Sequence, residues 1–268
     1  MSFRPVQGDG FTMVLEAPDE SRVFRVPADS ITTGIVTKLD PLNYARAWYA
    51  PEEATRGAVN FGRYFWISFI TGVICTVGTL FTGALAAFAF ARMDFAGKGL
   101  FFYIVLLTMM VPGEVLLIPN FFTLSMLNWL DTLAALTAPF LASVFTIFLM
   151  RQFFMTIPHL LWDAAQIDGA SRFRFLWQVV MPLSKPVFLT AGIFTFLGNW
   201  NALLWPLIVT NSPEMRTLMV GLQTFSVEAG DEFHLLMAAS TMAVLPIVIL
   251  FFLMQKFFIQ GIARTGLK

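Results

Sequence analysis

Five stretches of this chain are long and apolar enough to leave water, at about 64–91, 100–119, 132–150, 187–210 and 234–258. A helix needs about 20 predominantly apolar residues to cross the hydrocarbon layer of a bilayer. Inside that layer every backbone N–H and C=O must find its partner within the protein, which leaves helices and closed barrels as the spanning structures. Uninterrupted runs of this length belong to the helical solution. The expected fold is an all-α polytopic membrane protein with five visible transmembrane helices. Composition agrees, with 57% hydrophobic residues, 13% charged and a mean hydropathy of +0.72. A soluble domain carries about 25% charged residues. The 30 Phe residues are read as lipid-facing and packing residues.

The polar residues inside these runs carry the detail. Cys75, Thr79, Gly83, Ala87 and Ala91 recur four apart and form a small-residue stripe on the first span. Such a stripe lets helices approach closely. It is expected to pack within this subunit, with a subunit interface as the second option. Glu114 follows the Pro112-Gly113 break in the second span. An acid at membrane depth is a functional candidate by default, but its place beside a break near the span's end favours a wet, non-catalytic position. Asn199 and Asn201 flank Trp200 in the fourth span. They are expected to bond a neighbouring helix or, as the second option, to line a solute pathway. Pro246 is expected to kink the fifth span.

The longest polar interruption of the apolar second half runs over 157–186, between two spans. It reads as helix, glycine break, helix. Pro158 suits a helix start, where its missing N–H costs little. Leu160, Ala164 and Ile167 recur at helical spacing. Gly169 sits where helices often end in a left-handed residue. Ser171 is a candidate cap for a second short helix, expected to stop near Pro182. A helical hairpin placed between two spans is a device for docking something soluble.

Positive charge marks the cytoplasmic side of short loops. Nine Lys and Arg fall on one side: Arg92, Lys98, Arg151, Arg172, Arg174, Lys185, Lys256, Arg264 and Lys268. The two intervening loops, 120–131 and 211–233, hold only Arg216. The hairpin and the C-terminus are therefore expected in the cytoplasm. The chain is expected to divide into an extracytoplasmic segment, 1–63, and a transmembrane domain, 64–268, with a cytoplasmic loop at 151–186 that contains the hairpin. Residues 1–63 hold the other seven Lys and Arg, against the rule, which long segments obey poorly. Within that segment 22–26 alternates like a strand, and Leu42, Tyr44, Ala45 and Trp48 outline a short amphipathic helix.

Catalytic chemistry has little support. His159 and His234 are far apart and form no H-E-x-x-H pair, so no metal site is expected. Cys75 is the one cysteine, which excludes an intrachain disulfide. The Gly261-Ile-Ala-Arg-Thr-Gly266-Leu267-Lys268 string lacks the G-K-[S/T] ending of a phosphate-binding loop. No cofactor is expected, and any ATP-derived energy must come from a partner. A net charge of zero gives no reason to expect nucleic acid.

The hairpin also resembles a known motif. Asp163-Ala164-Ala165, Asp168-Gly169-Ala170 and Met181-Pro182-Leu183 leading to Pro186 are similar to the E-A-A, D-G-A and P-L pattern of the cytoplasmic loop of binding-protein-dependent ABC importer permeases. Asp stands for Glu at 163. Met109-Met110-Val111-Pro112, Phe148-Leu149-Met150-Arg151-Gln152, Trp200-Asn201 and 255–261 resemble the carbohydrate-uptake branch, the maltose and glycerol-phosphate types. The resemblance implies a permease subunit that moves a sugar, polyol or sugar-phosphate by alternating access. It implies a second permease subunit, two ATP-binding subunits and an extracytoplasmic solute-binding protein, in a bacterial or archaeal plasma membrane. Asp163, Ala164, Ala165, Asp168 and Gly169 would seat the ATPase subunit, and Asn199 and Asn201 are the candidates for the solute pathway. The family usually has six spans. Met1-Ser2-Phe3-Arg4-Pro5 is similar to the exit from its first, so the expectation is that this chain lacks that span, as a start assigned too late would produce. The alternative is a secondary transporter or channel for a small polar solute. Ion-coupled carriers place acids, bases or His in their spans, and here only Glu114 qualifies.

Overall fold

The computed structural model describes the backbone of residues 5–6, 12–16, 23–26, 41–49, 61–228 and 233–265. The chain forms two units, Met1–Asp40 and Pro41–Lys268. The first holds a three-stranded antiparallel sheet in the order β1 (Pro5–Val6), β2 (Thr12–Glu16), β3 (Val23–Val26). Met13 faces Pro5 on one side and Val26 on the other. The strand expected at 22–26 is β3. Met1 to Arg4, matched above to a span exit, lie outside the described residues.

The second unit is helical where it is described. After the short α1 (Leu42–Tyr49), α2 (Phe61–Arg92) runs unbroken for 32 residues, about 48 Å at 1.5 Å per residue. The later spans are bent. α3 (Lys98–Leu107) continues through a 3₁₀ turn to Met110, breaks at Val111-Pro112, and turns by 91° through Gly113–Leu116 into α4 (Leu117–Met126). α5 (Leu133–Thr137) and α6 (Val144–Thr156) are joined at 43°. The hairpin follows as α7 (Leu160–Ile167) and α8 (Arg172–Phe175), then a π segment at Leu176–Val180 and α9 (Met181–Leu183). α10 (Lys185–Trp200) leaves α9 at 82°, and α11 (Leu204–Val209), α12 (Leu218–Glu228) and α13 (Phe233–Thr265) complete the unit. Among the described residues two helices, Phe61–Arg92 and Leu235–Phe252 within α13, are long and apolar enough to cross a membrane; with each of three bent pairs taken as one span the number is five.

Two boundaries differ from the sequence reading. Pro119 does not end the second span, because it lies in the first turn of α4, where no N–H is needed. The loop placed at 120–131 shrinks to 127–131. The loop at 211–233 contains α12. The hairpin's second half stops near Pro182, as expected. The widened π turn ahead of it keeps the chain helical past the missing N–H, and the bend comes two residues later at Ser184. Residues 261–265 of the string that resembles a phosphate loop continue α13, and 266–268 lie outside the described residues.

α2 is the axis of the packing. Its small-residue stripe faces α5 and α6 of the same chain. Thr79 Oγ1 donates to the Phe140 carbonyl at 2.8 Å. A Cβ at Gly83 would lie 2.8 Å from Thr146 Cγ2, so only glycine admits α6 at this approach. Three buried clusters lie along it. Phe61 and Tyr64 pack with Ala47, Trp200 and Leu218. Ile67 packs with Leu136, Trp205 and Val209. Ala84, Ala87 and Phe88 pack with Met150, Phe154, Phe175 and Val180. Trp200 Nε1 donates to the Ala243 carbonyl at 3.1 Å, near Pro246 of α13. Trp205 Nε1 donates to the Ala135 carbonyl at 2.9 Å.

Candidate functional site

The hairpin is built from local signals. Leu161 and Trp162 N–H groups bond the Pro158 and His159 carbonyls and start α7. At its end Gly169 takes φ +73, a conformation that L side chains rarely adopt. Ala170 N–H reaches back to the Ala165 carbonyl at 2.8 Å and Gly169 N–H to the Gln166 carbonyl at 3.0 Å. This is the paired closure of a Schellman turn. Ser171 then caps α8, its hydroxyl accepting from Arg174 N–H at 3.2 Å. The ring centroids of Trp162 and Phe175 lie 5.1 Å apart, which folds the two halves together and seats them on the cluster around Phe88 and Phe154.

What the hairpin leaves open is its outer face. No residue of α7 is buried. Leu160 is 76% exposed and Ile167 87%. Asp163, Ala164, Asp168 and Gly169 are exposed, and Ala165 is half-buried against the hydrophobic cluster. Among the described residues neither Asp163 nor Asp168 has an ion-pair partner. A helix with satisfied ends and bare Leu and Ile side chains has its shape set in advance and its apolar face unfilled.

A second feature lies inside the bundle. A cavity of about 400 Å³ opens between α2, α5, α6, α10 and α11. Thr71, Thr79, Ser143, Asn199, Trp205 and Thr217 contribute to its lining, and none of its lining residues is charged. Among the described residues the buried hydroxyls of Thr71 and Thr217 find no hydrogen-bond partner. Leaving such a group unpaired costs about 1–3 kcal/mol. Asn199 Nδ2 donates to the Thr195 carbonyl at 2.9 Å, which leaves its side-chain oxygen to accept. Asn201 is different. It follows the end of α10, is exposed, bonds the Leu197 carbonyl, and does not line the cavity. The two asparagines are therefore not brought together. Both bond within their own helix rather than to a neighbour. Thr71 and Thr217 escaped the sequence reading, although isolated hydroxyl residues beside apolar runs were the available signal. Glu114 is exposed at the break between α3 and α4 and lines neither feature.

Asp131 ties the turn between α4 and α5 to the segment that follows α11. This residue adopts φ +60, and its carboxylate accepts from Asn211 N–H at 3.0 Å and Ser212 N–H at 3.1 Å. Desolvation pushes its carboxyl up, but the hydrogen bonds from Ser212 and Asn211 and the charge of Arg216 outweigh it and hold the group below its ordinary value. Among the described residues no group of three or more His, Cys, Asp or Glu is placed to hold a metal.

Comparison with known proteins fits this geometry. Residues 79–264 match the family model described as "Binding-protein-dependent transport system inner membrane component". The sn-glycerol-3-phosphate transport system permease protein UgpE of Yersinia enterocolitica is 35% identical over 249 residues, covering 92% of this chain and 86% of that protein. UgpE of Brucella abortus is 32% identical over 95% of this chain and 89% of its own length. The arabinooligosaccharides transport system permease protein AraQ of Bacillus subtilis is 36% identical over 79% of this chain and 75% of its own length. A crystal structure of a bacterial ABC transporter involved in the import of the acidic polysaccharide alginate contains a chain similar to this one, with TM-score 0.71 and 25% identity over 81% of this chain and 79% of that one. These relatives support the bacterial inner membrane and lend nothing to the archaeal option. The chain belongs to the family of binding-protein-dependent transport system inner membrane components, the permease subunits of ABC importers, whose ATP is hydrolysed by a separate subunit.

Proposed function

We infer that this chain translocates a sugar or a related polyol or sugar-phosphate, delivered by an extracytoplasmic binding protein, by alternating access driven through the hairpin. The observation that carries the reading is α7 itself, its ends closed and its Leu160 and Ile167 side chains bare. In this reading the coupling loop 151–186 is cytoplasmic and residues 1–63 are extracytoplasmic. Asp163, Ala164, Ala165, Asp168 and Gly169 seat one of two ATP-binding subunits, and a second permease completes the pathway. The small side chains at 164 and 165 allow close approach, and Gly169 permits the turn. ATP-bound and ATP-free partners hold the loop differently, and that difference in binding free energy drives the spans between two states. The glycerol-phosphate and arabinooligosaccharide transport systems of UgpE and AraQ support a hydroxyl-rich solute. The uncharged cavity supports it independently, because unpaired Thr71 and Thr217 hydroxyls and the Asn199 amide can exchange hydrogen bonds with such a molecule. Asn199 stays a candidate for that pathway. Asn201 loses its support. The secondary-transporter and channel alternative falls with family membership.

The test is co-purification with the partner subunits in lipid nanodiscs, comparing wild type with Gly169→Pro. Proline fixes φ near −65° and removes the N–H that bonds Gln166. Recruitment of the ATPase and solute-stimulated hydrolysis should both be lost while the spans stay folded. Unchanged coupling would reduce the loop to a connector.

A further inference from the structure

Two arginines that entered the charge count only as markers of orientation are joined to each other's helices. α2 and α6 end side by side, both pointing their C-termini at the hairpin. Arg92, the last residue of α2, donates from Nη2 and Nε to the Phe154 carbonyl at 2.6 and 3.1 Å, and from Nη2 to the Ile157 carbonyl. Arg151 of α6 returns the arrangement. Its Nε donates to the Phe90 carbonyl in the last turn of α2 at 3.2 Å, and its guanidinium lies 4.0 Å from the centre of the Phe102 ring in α3. The last four carbonyls of a helix have no partner within it, and the helix dipole adds partial negative charge there. Two parallel C-termini therefore repel, and each is neutralised here by a cation from the other.

We propose that Arg92 and Arg151 form a cross-capping joint that carries movement of the hairpin into α2 and so into the cavity; the proposal rests on the coupling role given to the hairpin above. Ile157, held by Arg92, lies three residues before the start of α7 at Leu160. Thr79, in the cavity wall, lies thirteen residues before Arg92 on the same unbroken helix, about 20 Å away at 1.5 Å per residue. A displacement at the start of the hairpin pulls the Ile157 carbonyl, the guanidinium follows it, and α2 moves as a rod. The planar fork of Arg92 holds two carbonyls at once. Both arginines are positioning residues and touch no solute.

The experiment reads the cavity directly and needs no identified solute. In a Cys75→Ala background, Thr71→Cys is labelled with a small maleimide in the assembled complex, once free of nucleotide and once trapped with MgATP and vanadate. The carrier chain should change its labelling rate at least fivefold between the two states. Arg92→Gln should shrink that change to less than twofold while ATPase recruitment and basal hydrolysis stay within twofold of the parent. Arg151→Gln should act in the same direction, and the double variant should be no worse than Arg92→Gln alone, as expected of one joint. Arg92→Lys, which reaches one carbonyl well but not two, should give an intermediate change and serves if Arg92→Gln fails to insert. A full fivefold change in Arg92→Gln, or in both Arg92→Lys and Arg151→Gln, overturns the joint. So does loss of recruitment in step with loss of the labelling change, since the arginines would then only shape the docking surface. If the parent chain itself shows no nucleotide-dependent change, the coupling role of the hairpin fails instead.

Discussion

The two ends of α2 are held in opposite ways. At its start the chain is enclosed. Phe61 and Tyr64 are fully buried beside Trp200, Leu218 N–H donates to Ser68 Oγ at 2.8 Å, and Arg63 Nε donates to the Glu214 carbonyl at 3.0 Å. At its end two guanidinium groups satisfy the backbone, yet the hairpin beyond them leaves Leu160 and Ile167 bare. The first end sets Phe61 and Tyr64 into its own chain, although Trp66 and Phe69 on its other faces stay exposed. The second has its polar groups filled and its apolar surface left open. A surface built that way has little to lose by being exposed and an apolar area to gain when something covers it, as the docking role proposed for the hairpin requires.

The largest predicted effect tests the rod that joins the two ends. Gly83→Leu places side-chain atoms where Thr146 Cγ2 and Met150 Sδ already stand. Overpacking of this kind costs about 1–3 kcal/mol or more. Thermal unfolding in detergent should show a clearly lowered midpoint, and an unchanged midpoint would mean that α2 and α6 do not approach as closely as described. Next is Gly169→Val. Nothing lies within 4 Å of the new Cβ, so the cost is the left-handed backbone alone, about 1–2 kcal/mol. That cost should appear as lost recruitment of the ATPase with the unfolding midpoint of the spans nearly unmoved. A parallel fall in both would mean that the hairpin is a structural part of the bundle.

Thr71→Val removes a buried hydroxyl that has no partner and keeps its shape. Stability should stay level or rise by up to about 1 kcal/mol. Solute transport should fall, and full transport would remove Thr71 from the pathway. A smaller effect is expected at Asp131. Its folded carboxyl titrates below the unfolded value, so the stability it adds is present above the unfolded value and is lost as pH falls through the folded one. The group is partly solvated, so the gain should stay under about 1 kcal/mol. Unfolding midpoints measured from neutral to acid pH should fall less steeply in Asp131→Asn than in wild type, and equal slopes would show that the carboxylate contributes nothing. Least of all for stability is Ile167→Ser. A residue 87% exposed should shift the unfolding midpoint by no more than about 0.5 kcal/mol allows, while binding of the ATPase subunit weakens. Unaltered binding would leave the open face without a purpose.

Much of this fold was legible beforehand because its signals are local. Apolar runs set the spans, and Gly169 and Ser171 set the hairpin's turn and cap. The errors came at Pro119, read as a stop, and at 211–233, read as a loop without α12. Pro119 falls in a first turn, a position that cannot be told from an interior one until the helix start is known. The candidate site was half legible. The hairpin's five residues lie together on one exposed element, but Asn199 and Asn201 parted, since α10 ends between them and sends only Asn199 into the cavity.

By itself the sequence determined that the chain lives in a membrane, about where its spans run, and that a capped helical hairpin interrupts them. These follow from run length, spacing and the conformations open to single residues. The tertiary structure decided what lies opposite each face. Thr71 and Thr217 meet at one cavity although 146 positions separate them, and Arg92 finds Phe154 and Ile157 rather than water. Helical periodicity says which side of a helix is apolar, but the neighbour on that side is chosen by packing, and hydrogen bonds between helices exist only after that choice is made.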